Sequence, residues 1–201
     1  MFQQSLNTPW KAWNELERLI IFPWVRLMFS LNAIPWGQGW RFYGAPVIQK
    51  HRRSVMRLGP GLALRSALRS NPLGPNHPVI LCTWQAGACL SVGAQFAMTG
   101  GVLCAAQSIT IGDQVNIGAN SMVMDTDFHP LDPSLRRANP AAGQVASVVI
   151  EDNVFIGMNC LVLKGVSIGA GSVIGAGSVV TRSIPPGVIA AGSPARVIRK
   201  I

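Results

Sequence analysis

Charge is scarce in this sequence. Asp, Glu, Lys and Arg together make up only 12% of its 201 residues, which excludes the charge-rich compositions of disordered chains and long solvated helices. There is one tyrosine and no recognisable RNA- or DNA-binding signature, so nucleic acid is the weakest candidate partner. Cysteine is sparse too. Cys82, Cys89, Cys104 and Cys160 form no CxxC pair and stand among apolar or small residues. They read as buried, reduced thiols of a cytoplasmic protein, not as a disulfide framework. No basic start followed by an apolar run and a small-residue cleavage site marks an export signal. A transmembrane helix needs about twenty apolar residues in a row, and Pro23 and Arg26 break the longest early run.

Glycine (21 residues) and proline (14) are abundant, and the formal charge is +9. The charge points to anionic partners: a phosphorylated ligand or a membrane surface. At this length the chain is most simply one compact domain with a real core.

Residues 1–40 differ in texture from residues 41–201. Thr8 followed by Pro9 suits a helix start, and polar residues then recur near helical spacing at Lys11, Asn14, Glu15, Arg18 and Arg26. This predicts an amphipathic helical segment. Residues 10–34 either touch a membrane interface, with Trp10, Trp13 and Trp24 as anchors, or cover one end of the main domain or a subunit contact.

The remainder is governed by a repeat. Ile150, Ile156, Val162, Ile168, Ile174 and Val180 follow one another at intervals of six. Four places after the aliphatic comes a compact residue, as at Val154, Cys160, Val166, Ser172 and Ser178. Ile111 and Ile117 carry the same register earlier. A period of six fits neither a helix nor one long strand; it fits a short strand and a tight turn, repeated. Glycine or asparagine then takes the turn, where positive φ is tolerated. Three units close a coil, which stacks Ile150 over Ile168, Ile156 over Ile174 and Val162 over Val180. Each coil buries its core only against its neighbours, so an all-β solenoid with capped ends is expected. Residues 41–110 read as opening coils, distorted where the helical segment joins, with a bulge or lengthened turn between Cys104 and Ile111.

The rhythm fails at residues 125–147, within and after "MVMDTDFHPLDP". A rigid solenoid tolerates such an excursion loop at a turn, and loops on rigid scaffolds are where chemistry concentrates. His129 stands at its start, before Pro130.

The segments "IGANSMVMDTDFHP", "IEDNVFIGMNCLVLKGVSIGAGSVIGAGSVVTRSIPPG" and "AAGSPARVIRK" resemble the hexapeptide-repeat acyltransferases, in particular the galactoside and maltose O-acetyltransferases and sugar acetyltransferases of polysaccharide biosynthesis. The resemblance implies a left-handed parallel β-helix, a homotrimer and acetyl-CoA as co-substrate, with no metal. It makes His129 the general base that takes a proton from a sugar hydroxyl, a role imidazole suits because it titrates near neutral pH. It places coenzyme A along the last coils, at Gly157, Ala176, Thr181, Arg182, Arg196 and Arg199, where arginines suit phosphate through paired N–H donors.

Some positions depart from that pattern. Thr99, after Met98, stands where those enzymes carry an assisting asparagine. Phe155 replaces a tryptophan, Met158 a serine found in some members, and Arg182 a common lysine. His51 in "KHRR" and His77 in a turn-rich stretch read as a solvated patch and a structural residue. The expectation is an O-acetyltransferase acting on a sugar or glycan precursor. Its rivals are a non-catalytic β-helix scaffold and acetyl transfer to an amine or serine.

Overall fold

The computed structural model describes residues 7–201; residues 1–6, the start of the N-terminal segment, lie outside them. The fold is the expected all-β solenoid, a left-handed parallel β-helix preceded by one long helix and interrupted by one long loop. Helix α1 spans Pro9–Leu31, with Thr8 at its N-cap and Pro9 in its first turn. It runs straight through Pro23, although a proline inside a helix forfeits a backbone hydrogen bond and costs about 3 kcal/mol. The offset comes from packing near its C-terminal end. Val25 and Phe29 are fully buried, and Phe29 lies 5.3 Å from the rings of both Trp40 and Phe42. Trp36 packs on Trp40 at 5.0 Å, and Trp40 donates its indole N–H to the Gly59 carbonyl at 2.8 Å. This aromatic plug seals the first coil, one of the roles expected for the segment.

The coils begin at β1 (Arg41–Tyr43) and wind through three parallel sheets. The first face carries β1, β4 (Ala63–Arg65), β7 (Ala97–Thr99), β10 (Asn116–Ile117), β13 (Phe155–Ile156), β16 (Val173–Ile174) and β18 (Val188–Gly192). The second carries β2 (Val47–Lys50), β5 (Val79–Thr83), β8 (Gly101–Ala105), β11 (Met122–Met124), β14 (Leu161–Val162) and β17 (Val179–Val180). The third carries β3 (Val55–Leu58), β6 (Cys89–Val92), β9 (Ser108–Ile111), β12 (Val148–Ile150) and β15 (Ser167–Ile168). The last strand, β19 (Ala195–Lys200), folds back antiparallel on β18 and covers the sheet edge.

The register is the predicted one: Ile150 pairs with Ile168, Ile156 with Ile174 and Val162 with Val180. All six are fully buried, as are Cys160, Val166, Ser172 and Ser178 in the compact positions. The turns divide their labour more finely than expected. Positive φ falls three places after each aliphatic, at Asn153, Asn159, Gly165, Gly171 and Gly177. Gly157, directly after an aliphatic, is needed for another reason: a Cβ there would lie 2.6 Å from the backbone nitrogen of Ala176 on the next coil. The residue in register with Val123 and Val162 is Leu103, not Cys104, so Ile111 follows eight places later instead of six, and the excess is taken up by the longer strands β8 and β9 on either side of the Ala106–Gln107 turn. The marked irregularity of the opening coils lies at residues 66–78, between β4 and β5, where the helical segment meets them: the Asn14 amide of α1 donates to the Arg69 carbonyl at 3.3 Å.

Candidate active site

β11 ends at Met124 and β12 begins at Val148, so the excursion leaves the corner between the second and third faces. Its root is Asp125, fully buried. That carboxylate accepts from the Ala106 N–H at 2.6 Å and the Gln107 N–H at 2.8 Å, tying the loop to the preceding coil. The two legs of the loop then zip together. The Ala146 N–H donates to the Asp125 carbonyl at 2.9 Å and the Asp127 N–H to the Gln144 carbonyl at 3.0 Å. Lys164, from the following coil, is ion-paired with Asp127 at 3.2 Å.

Phe128 turns the chain with φ at 59°, a conformation costly for a bulky residue. It is held by the Thr126 hydroxyl, 3.0 Å from its N–H, and by an edge contact with Trp84 at 6.1 Å. Gly143 permits the approach of the return leg, since a Cβ there would lie 2.7 Å from the His129 nitrogen. Beyond it, α2 (Pro133–Ala138) is capped by Asp132, which accepts from the Leu135 N–H at 2.8 Å. The side-chain N–H groups of Arg136 clasp the carbonyls of Pro130 and Leu131 at 2.9 and 3.1 Å.

His129 emerges exposed from this frame. Its Nδ1 lies 2.7 Å from the Pro140 carbonyl oxygen. A carbonyl only accepts, so Nδ1 carries the proton and Nε2 presents its lone pair outward. The bond fixes both the tautomer and the orientation of the ring.

The other expected site residues fall into two groups on opposite edges of the second face. Thr181 and Arg182 follow β17 at the His129 corner, two coils further along. Arg182 and Arg196 line one depression of about 140 Å³, with Ser183, Ile184, Ala195 and Val197. The side chains of Arg196 and Arg199 donate to backbone carbonyls, and neither is ion-paired among the described residues. Gly157 and Ala176 occupy the other corner, between the first and second faces. Thr99 is there too, its carbonyl accepting from the Asn120 N–H at 3.1 Å. The strand separating the corners, β8, spans about 17 Å for its five residues. Thr99 and His129 of one chain therefore do not meet.

A residue not anticipated from the sequence joins Thr99. The amide of Asn71, from the irregular segment between β4 and β5, donates to the Thr99 hydroxyl at 3.1 Å. Arg65, Asn71, Thr99, Asn116 and Phe155 line a shallow cavity of about 310 Å³ on the first face. Neither other histidine approaches His129. His51 Nδ1 accepts from the Arg53 N–H, and His77 Nδ1 lies 2.7 Å from the Pro78 carbonyl. Among the described residues no group of three His, Cys, Asp or Glu side chains converges on a metal-sized site. All four cysteines are free; burial pushes the Cys160 thiol pKa up, away from the reactive thiolate.

Residues 147–182 match the family described as bacterial transferase hexapeptide (six repeats), and residues 108–124 the hexapeptide repeat of succinyl-transferase. The two matches stop where the His129 loop leaves and resume where it returns. Both matched stretches are hexapeptide repeats, and they lie in the regular coils on either side of the loop. Over 93 residues it is 46% identical to the galactoside O-acetyltransferase of Lactococcus lactis, a match covering 46% of this chain and 44% of that one. The matched stretch is thus less than half the length of that relative. Among solved structures, this hexapeptide-repeat chain is similar to a hexapeptide-repeat-containing acetyltransferase from Vibrio cholerae. The identity is 28% and the TM-score 0.53, over 77% of this chain and 73% of the other. It shares its fold with AntD, an N-acyltransferase from Bacillus cereus, at 20% identity and a TM-score of 0.64, over 82% of this chain and 81% of the other.

Proposed function

We propose that this hexapeptide-repeat protein transfers an acetyl group from acetyl-CoA to a hydroxyl of a sugar or glycan precursor. The observation that carries this reading is the His129–Pro140 hydrogen bond, which leaves Nε2 free to accept a proton. In the proposed step the acceptor oxygen attacks the thioester carbonyl as its proton passes to Nε2. The C–S bond then breaks, and coenzyme A leaves as thiolate, which the imidazolium can reprotonate. A positioned base of this kind contributes on the order of a hundredfold to ten-thousandfold in rate.

Arg182, Arg196 and Arg199 are cations with no ion pair among the described residues, at the C-terminal end of the solenoid, suited to the phosphates of coenzyme A. Gly157, Ala176 and Thr99 lie across the second face from His129, so in this proposal the protein works as a homotrimer in which neighbouring chains bring the two corners together. The names of the Lactococcus lactis and Vibrio cholerae relatives support acetyl transfer.

The test is an acceptor panel of sugars, amines and serine offered with acetyl-CoA and read by release of free thiol. Release that depends on sugar hydroxyls is expected. Release with amines or serine alone would replace the acceptor class, and no binding of coenzyme A at equilibrium would leave the protein a scaffold.

A further inference from the structure

The aromatic plug seals α1 to the coils near its C-terminal end. Near its N-terminal end the two stand apart around a cavity of about 470 Å³, walled by residues of α1 and of the segment 65–72. Lys11, Glu15, Arg65 and Arg69 line it, three cations against one carboxylate. That carboxylate is already engaged: Glu15 accepts from the Tyr43 hydroxyl at 2.8 Å and is ion-paired with Arg18 at 2.8 Å. Lys11 and Arg69 are exposed and have no ion pair among the described residues. Arg65 lies 4.2 Å over the Tyr43 ring and donates to the Ser70 carbonyl at 2.7 Å, which leaves most of its N–H groups for a ligand.

Asn14, in the same wall, supplies a second observation. It is only 7% exposed, yet its Oδ1 has no hydrogen-bond partner among the described residues. A buried acceptor left unpaired is costly, and in a cavity wall it suits a ligand hydroxyl. Cations for an anion and an acceptor for a hydroxyl together describe a sugar phosphate. A phosphate monoester carries about 1.5 to 2 negative charges near pH 7, which matches the surplus of the three cations over Glu15; a carboxylate leaves half of it unanswered. Arg65 and Asn71 also line the shallow cavity that holds Thr99, so the two cavities share a wall. We infer that the cavity between α1 and residues 65–72 binds the phosphate of a phosphorylated sugar, whose hydroxyls then face the Thr99 corner. Its use as the acceptor rests on the proposed acetyl transfer; its binding does not.

The test is isothermal titration calorimetry of the full chain, without acetyl-CoA, against glucose 1-phosphate, glucose and inorganic phosphate, beside the variants Lys11→Ala and Arg69→Ala. Glucose 1-phosphate should bind about fivefold or more tightly than either glucose or phosphate, and less tightly as salt is raised. Each variant should lose about fivefold or more in that affinity, with its melting temperature unchanged because both side chains are exposed. Coenzyme A at saturation should not displace the sugar phosphate. Equal affinity for inorganic phosphate, which would leave a bare anion site, overturns the inference. So do equal affinity for glucose, variants that bind like the wild type, and displacement by coenzyme A. A silent titration overturns it as well, while thiol release from neutral sugars would leave acetyl transfer standing. Binding of glucose 1-phosphate without thiol release would do the reverse, keeping the site and removing the transfer.

Discussion

The Nδ1 atom of His129 and the carbonyl oxygen of Pro140 lie 2.7 Å apart, joining the two legs of the loop that interrupts the solenoid. That bond selects one tautomer and one ring orientation, and everything else in the loop holds the two residues in place. Asp125 anchors the root, Asp132 and Arg136 brace the tip, and Gly143 lets the legs close.

The close approach at Gly143 is testable by adding one methyl. In Gly143→Ala the new Cβ would meet the Phe128 carbonyl carbon at 2.6 Å and the His129 nitrogen at 2.7 Å, so the backbone beneath the imidazole must shift. Turnover should fall by roughly tenfold or more, because misplacement of about 1 Å is that costly. Thermal unfolding should change little, since the solenoid core is untouched. Steady-state kinetics beside a melting curve separates the two effects.

Asp125 carries more of the stability. Its carboxylate satisfies two backbone N–H groups in a fully buried setting. Asp125→Ala strands both donors, and the expected loss is about 2–5 kcal/mol, read as a lowered midpoint in urea unfolding. Asp125→Asn keeps one acceptor and should fall between that variant and the wild type.

The glycines of the turns should sort by cause. Gly157→Ala drives a Cβ into the Ala176 backbone and should destabilise by about 1–3 kcal/mol. Gly177 has φ at 71° and open space around it, so Gly177→Asn should be nearly neutral. Calorimetric melting temperatures of the pair decide between close packing and backbone strain.

At the C-terminal end of the His129 corner, Arg182→Ala and Arg196→Ala should raise the KM for acetyl-CoA several-fold while leaving kcat near normal. The deficit should shrink as salt rises, because an exposed phosphate contact is screened. A titration of acetyl-CoA at low and high ionic strength checks both statements.

What was legible in the sequence follows the range of the interactions that fix it. The Ile150–Ile168 and Val162–Val180 ladders come from a six-residue period that every coil repeats, so counting alone places them. The departure of the loop after Met124 is legible as the place where the period stops. The Pro140 carbonyl was not legible, because backbone acceptors leave no mark in a sequence and the loop has no period. The Asn71–Thr99 bond joins residues 28 positions apart through an irregular segment, beyond any local pattern. Helix α1 was visible from Thr8 and Pro9, but the cavity it walls with Arg65 and Arg69 emerged only in the fold.

The account turns on the outward lone pair of His129, and single-turnover kinetics of His129→Ala with saturating acetyl-CoA and a sugar acceptor addresses it most directly. The predicted result is acetyl transfer slowed by on the order of a hundredfold to ten-thousandfold, with the melting temperature, assembly size and coenzyme A affinity unchanged. Transfer at a near wild-type rate would contradict the assignment of this imidazole as the base.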